Sequence, residues 1–180
     1  ADELQKDISE VNRYPKSWIN LQDCMLDAKC MKVIAHDPKF LSINQLPWKW
    51  SDIQNAVKGK EIERFFNFIF SCSDDRQMML EYAGLCFTKD TSQQKFLILC
   101  GLGGTGKSVL ILLIEKAVGI SNVSNVALQE LSRRFSTSLL VGKTLNSCAD
   151  LSEGLLEDTA TMKKLLGEDF VFSERKGQDG

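Results

Sequence analysis

The chain predicts an α/β fold, with a parallel sheet and covering helices preceded by a small α+β domain. Three observations carry that expectation. Residues 101–108 read Gly-Leu-Gly-Gly-Thr-Gly-Lys-Ser directly after the apolar run Lys95-Phe-Leu-Ile-Leu-Cys100. Helical and strand-like apolar periods then alternate, the order that builds a parallel sheet. Upstream, residues 17–50 show brief apolar runs broken by polar turns, and residues 52–87 return to the helical period.

The elements follow in order. Residues 3–14 are polar with Leu4, Ile8 and Val11 at helical spacing, so residues 1–16 read as a short helix or linker. Trp18-Ile-Asn-Leu21, Met25-Leu-Asp27 and Met31-Lys-Val-Ile34 read as short strands or a hairpin, as does the stretch from Ile43 to Trp50, although Pro47 sits inside it. One helix places Ile62, Phe65, Phe66 and Ile69 on one face. A second, begun at the capping sequence Ser73-Asp-Asp75, carries Met78, Met79, Tyr82, Leu85 and Cys86, and the two are expected to pack together. Thr88-Lys-Asp-Thr-Ser-Gln-Gln94 is a polar connection, which sets the domains at 17–94 and 95–180. Val109-Leu-Ile-Leu-Leu-Ile114 is the nearly all-apolar helix after the glycine loop. Residues 125–135 are expected to be helical, and residues 142–148 a second core strand ending at Asp150. A further helix is expected over 157–166 and a further strand over 169–173.

The glycine-rich segment is a complete G-x-x-x-x-G-K-[ST] phosphate-binding loop. Glycines let the backbone turn tightly enough to aim N–H groups at phosphate oxygens, so Gly101, Leu102, Gly103, Gly104, Thr105 and Gly106 form the cradle. Lys107 can reach the β and γ phosphates, and the Ser108 hydroxyl can ligate Mg²⁺. With glycine near about 7 % of ordinary composition, the pattern arises by chance on the order of once in a hundred chains of this length. A nucleoside triphosphate with Mg²⁺ is therefore the expected ligand, and the loop alone does not say which triphosphate it is. Asp150, at a strand end about 40 residues past Lys107, is the candidate second magnesium ligand. Many ATPases carry two adjacent acids there, and here the pair is Ala149-Asp150. Glu153 is either the second carboxylate or a solvated loop acid.

Other classes recede. No N-K-x-D element for guanine occurs, and the Arg133-Arg134 pair reads more readily as solvated than as a kinase lid. The chain has 22 Lys and Arg against 24 Asp and Glu, and its pI is about 5.5, so any nucleic-acid contact must come from a local basic patch. Six cysteines without a C-x-x-C pair and a single histidine, His36, make a zinc site a poor expectation. Cys86, Cys100 and Cys148 lie in apolar runs, which suggests reduced cysteines in a cytoplasmic protein. No signal peptide or membrane-spanning apolar run opens the chain, and its lack of an initiating methionine suggests a piece of something longer.

The order of motifs resembles a known family. Leu99-Cys-Gly-Leu-Gly-Gly-Thr-Gly-Lys-Ser108, Leu131-Ser-Arg-Arg-Phe135, Leu140-Val-Gly-Lys143, Asn146-Ser-Cys-Ala-Asp-Leu151, Lys163-Lys-Leu-Leu-Gly-Glu-Asp169 and Ser173-Glu-Arg-Lys176 look like the phage/plasmid and poxvirus type primase-helicases, superfamily 3 helicases. Asn20-Leu-Gln-Asp-Cys-Met-Leu-Asp27, His36-Asp-Pro38 and Asn44-Gln-Leu-Pro47 resemble the small domain that precedes the ATPase in that family, in which His36 is a turn residue. The resemblance implies an AAA+-like P-loop ATPase that forms a hexameric ring and moves along single-stranded DNA. It also implies an upstream primase or primase-polymerase domain. Arg175 and Lys176, with Lys163 and Lys164 on the preceding helix, match the family's positions for DNA phosphates.

The single acid at the strand end departs from the family's pattern, and residues 1–180 stop before the positions of its sensor residue and arginine finger. On its own, residues 1–180 are therefore expected to bind nucleotide weakly and hydrolyse it poorly, since an arginine finger contributes a factor of roughly 10³ or more. Two alternatives stay open: a nucleotide-gated ring-assembly or partner-recruiting module, and a small-molecule phosphotransferase indifferent to DNA.

Overall fold

A computed structural model of the protein describes residues 11–57, 59–131, 133, 136–148 and 163. The chain is mixed α/β and divides into two compact units, residues 1–89 and 90–180.

In the first unit, β1 (Trp18–Asn20), β2 (Met25–Asp27) and β3 (Lys32–Ile34) form an antiparallel meander with β2 in the centre. Met25 stands opposite both Asn20 and Ile34, and Leu26 opposite Ile19 and Val33. Met25 is wholly buried with Leu21, Cys24 and Leu26, so the strand that pairs on both edges also supplies the core. Asn20 is buried too, and its amide is satisfied: Nδ2 donates to the Asn44 carbonyl at 2.6 Å and Oδ1 lies 3.0 Å from His36 Nε2. His36 thus serves as a hydrogen-bond partner in a turn, next to the short 3₁₀ turn Pro38–Phe40 that Asp37 caps. Tyr14 and Trp18 both meet the Phe40 ring edge-on, at 6.3 and 5.6 Å between centroids.

The stretch from Ile43 to Trp50 forms no strand. Asn12 takes the Ile43 N–H and bonds the Asn44 side chain, Asn20 bonds the Asn44 carbonyl, and the Leu46 N–H goes to the Asn20 carbonyl. Side chains and isolated backbone bonds replace a ladder, as Pro47 would require. The segment runs into α1 (Trp50–Gln54), whose free N–H groups are capped from a distance: Asp23 accepts from Trp50 N at 2.8 Å and Ser51 N at 3.3 Å. Those backbone donors hold the Asp23 carboxyl below its ordinary pKa.

Two longer helices complete the unit, α2 (Lys60–Ile69) and α3 (Ser73–Leu85). The start of α3 differs from the expected capping: Cys72 is the N-cap and makes no side-chain bond, while Ser73 Oγ donates to Asp74. Asp74 and Asp75 still place negative charge at the positive end of the helix dipole. The expected close packing of α2 on α3 is also only partial. Arg76 spans them, donating to Asn67 at 2.9 Å and lying over the Phe66 ring, but α2 buries no residue fully and Phe68 is 74 % exposed.

Burial raises the Cys86 thiol to about 11. Because the thiolate is the nucleophile, alkylation of the native protein at pH 8 is expected to mark exposed Cys30, Cys72 and Cys100 first, with Cys86 at least about tenfold slower by peptide mass spectrometry. All six cysteines are free, and Cys100, although it lies in an apolar run, is exposed.

In the second unit, α4 (Lys107–Val118) leads through Gly119 to β4 (Val123–Ser124), which pairs in parallel with β5 (Leu145–Asn146). Among the described residues, Leu110, Val118, Val123, Val126 and Leu131 are its buried apolar ones. The helix expected over 125–135 is absent from the described residues. A short 3₁₀ turn at Leu128–Glu130 stands there, while Ala127 is extended, and another follows at Ser136–Leu140. The reason is competition for the backbone: Asn146 Oδ1 takes the Val126 N–H at 2.9 Å, Asn146 Nδ2 donates to the Val126 carbonyl, and Asn125 Nδ2 donates to Ser147. The expected strand over 142–148 is shortened to β5, and the apolar run at 95–100 carries no strand assignment. Asp150, the expected helix over 157–166 and the expected strand over 169–173 lie outside the described residues, apart from Lys163. Among the described residues no helix is long and apolar enough to cross a membrane.

Candidate nucleotide-binding site

Residues 101–105 are exposed and connect the apolar run to the first turn of α4. Gly106 is the N-cap of that helix at φ 88°, in the left-handed region, where a side chain would be strained. Its carbonyl still accepts the Leu110 N–H at 2.9 Å, so the helix begins as the chain leaves the loop. At Gly101 a Cβ would stand 3.6 Å from Thr105 Oγ1 and 3.8 Å from Lys107 Nζ, because both side chains fold back over it. Nothing lies within 4 Å of a Cβ built at Gly103 or Gly104, so that stretch of backbone faces open space.

Lys107 closes the loop on itself. Its ammonium donates to the Gly101 carbonyl at 2.8 Å and the Leu102 carbonyl at 2.7 Å, and lies 3.1 Å from Thr105 Oγ1. Thr105 in turn donates its hydroxyl proton to the Leu102 carbonyl at 2.9 Å. Ser108 is exposed on the first turn of α4. A positive charge over a glycine loop, with a helix N-terminus behind it, suits a phosphate chain.

A second polar cluster ties α4 to the parallel pair. Glu115 accepts from Ser147 Oγ in a short contact and from Asn125 Nδ2 at 3.2 Å, and Ser147 N donates to the Ser124 carbonyl at 2.9 Å. Ser124 Oγ donates to Asn146 Oδ1 at 2.9 Å, and Lys143 Nζ to the Ser121 carbonyl at 2.7 Å. Sequence reading passed over this cluster and β4 itself. The available signal was Gly119 ending the helix, followed after three residues by the β-branched Val123.

The structure brings together residues 101–108 of the expected site. Asp150, Arg175, Lys176 and Lys164 lie outside the described residues, and Lys163 is exposed. Among the described residues no three His, Cys, Asp or Glu side chains gather as a metal site. Mg²⁺ at a nucleotide typically keeps only one or two protein ligands beside phosphates and water, so Ser108 suits that smaller role.

Residues 99–180 match a protein family described as a family of unknown function, DUF5906. No curated protein matches the chain.

Proposed function

We propose that this protein is a P-loop ATPase whose hydrolysis drives a DNA helicase motor of the primase-helicase type. The observation that carries the nucleotide part is the Lys107 ammonium drawn over an exposed glycine loop at the head of α4. ATP would be held by the backbone N–H groups of residues 101–106 and by Lys107 at the β and γ phosphates, with Mg²⁺ on Ser108 and Asp150. The metal would neutralise charge on the transferred phosphoryl group, and Lys107 would hold that group in line. The motor part rests on the order of motifs after the loop. On that reading the protein works as a cytoplasmic hexameric ring beside a primase domain, and Arg175, Lys176 and Lys164 grip single-stranded DNA through its phosphates.

The test is ATP turnover by the full-length protein with and without single-stranded DNA, for the parent and for Asp150→Ala. Turnover stimulated by DNA and lost in the variant is the expected result. Turnover indifferent to DNA overturns the motor and favours a phosphotransferase. ATP binding without turnover favours the assembly module, a reading that the lone acid at Ala149-Asp150 already motivates.

A further inference from the structure

We propose that the Thr105 hydroxyl competes with phosphate for Lys107 and so sets the nucleotide affinity of the loop. The inference rests on the nucleotide reading above. An ammonium has three N–H donors and no acceptor. All three of Lys107 have an acceptor within the loop: the Gly101 carbonyl, the Leu102 carbonyl and Thr105 Oγ1. No donor is left for an incoming phosphate until one of these bonds is given up.

Thr105 is the partner that yields. Its contact is the longest of the three, at 3.1 Å against 2.8 and 2.7 Å. The two carbonyls are fixed in the loop backbone and form the shorter contacts, so the ammonium gives up the hydroxyl oxygen first. It also loses little on release, because its proton remains bonded to the Leu102 carbonyl at 2.9 Å. Thr105 is exposed, so water can take the vacated position on the oxygen. A phosphate oxygen is a charged acceptor and forms the stronger bond to the ammonium. Binding is then an exchange of one neutral acceptor for one charged acceptor, and the Thr105 hydroxyl subtracts from the gain.

The experiment uses the full-length protein, Thr105→Val, which keeps the branched shape without the hydroxyl, and Thr105→Ser, which restores the hydroxyl. ATP is titrated in EDTA, so that Mg²⁺ does not enter, and Lys107 acetylation by acetic anhydride is followed by mass spectrometry without nucleotide. Thr105→Val is expected to bind ATP about three- to tenfold more tightly, the factor set by one ordinary hydrogen bond, and to be acetylated faster at Lys107. Thr105→Ser is expected to match the parent in both. A parent that binds ATP while Thr105→Val binds it no more tightly overturns this proposal alone, as does unchanged acetylation. A parent that binds no ATP overturns the nucleotide reading with it.

Discussion

Lys107→Ala is expected to weaken ATP binding about a hundredfold, or ~3 kcal/mol, by isothermal titration or a fluorescent ATP analogue. The substitution removes the side-chain cation that lies over the loop, at a position where its bonds to phosphate would be charge-assisted. It also removes the bonds that tether the carbonyls of Gly101 and Leu102, so the loop loses its brace as well as its charge. Lys107→Arg is expected to recover little of the loss, since a planar guanidinium cannot replace a compact ammonium inside a tight backbone turn. Because Lys107 opens α4 and is not fully buried, the helical circular dichroism of the variant should match the parent. An affinity within threefold of the parent would rule out this loop as the nucleotide site.

The elements legible in the sequence are those whose signal is local. The loop at 101–108 and the helix after it declare themselves because backbone geometry demands glycine at Gly106 and because the apolar run Val109 to Ile114 suits a helix, although that helix does not pack on several sides: of the run only Leu110 is buried, and Val109 and Leu112 are exposed. The three short strands of the first unit were legible for the same reason, each being an apolar run bounded by turn residues. Residues 125–127 were not. Their apolar spacing suits a helix, but Asn146, twenty residues further on, takes both polar backbone groups of Val126. No local pattern encodes that capture, which depends on β5 lying beside β4. Asp23 as the cap of α1 escaped for the same reason, since a capping residue is sought next to the helix, and this one is 27 residues upstream of Trp50.

The candidate site divides along the same line. Gly101 to Ser108 could be assigned from chemistry, because each residue type has a task in binding phosphate. What the sequence could not supply was the conformation of Lys107, whose three acceptors all come from its own loop. Nor could it supply the Glu115, Asn125 and Ser147 cluster that fastens α4 to the strand pair. Every one of these polar residues reads in isolation as an ordinary surface position.

Met25→Ala is expected to destabilise the first unit by about 2–4 kcal/mol, the usual cost of truncating a buried methionine. Met25 has no solvent exposure and stands at the centre of the meander, opposite Asn20 on one side and Ile34 on the other. Its removal forfeits the transfer of the thioether side chain out of water and leaves a cavity that the strands cannot readily close, because their backbones are fixed by the ladder on both edges. Leu21, Cys24 and Leu26 of the same segment are buried as well, so this part of the chain has few free side chains that could move to fill the space. Urea unfolding followed by tryptophan fluorescence reads this unit alone, since Trp18, Trp48 and Trp50 are the only tryptophans and all belong to it. The midpoint should fall at nearly constant slope, because the surface exposed on unfolding hardly changes. Met25→Leu, which keeps the volume approximately, should cost less than about 1.5 kcal/mol. A midpoint for Met25→Ala within error of the parent would mean that the meander's core is not organised around β2.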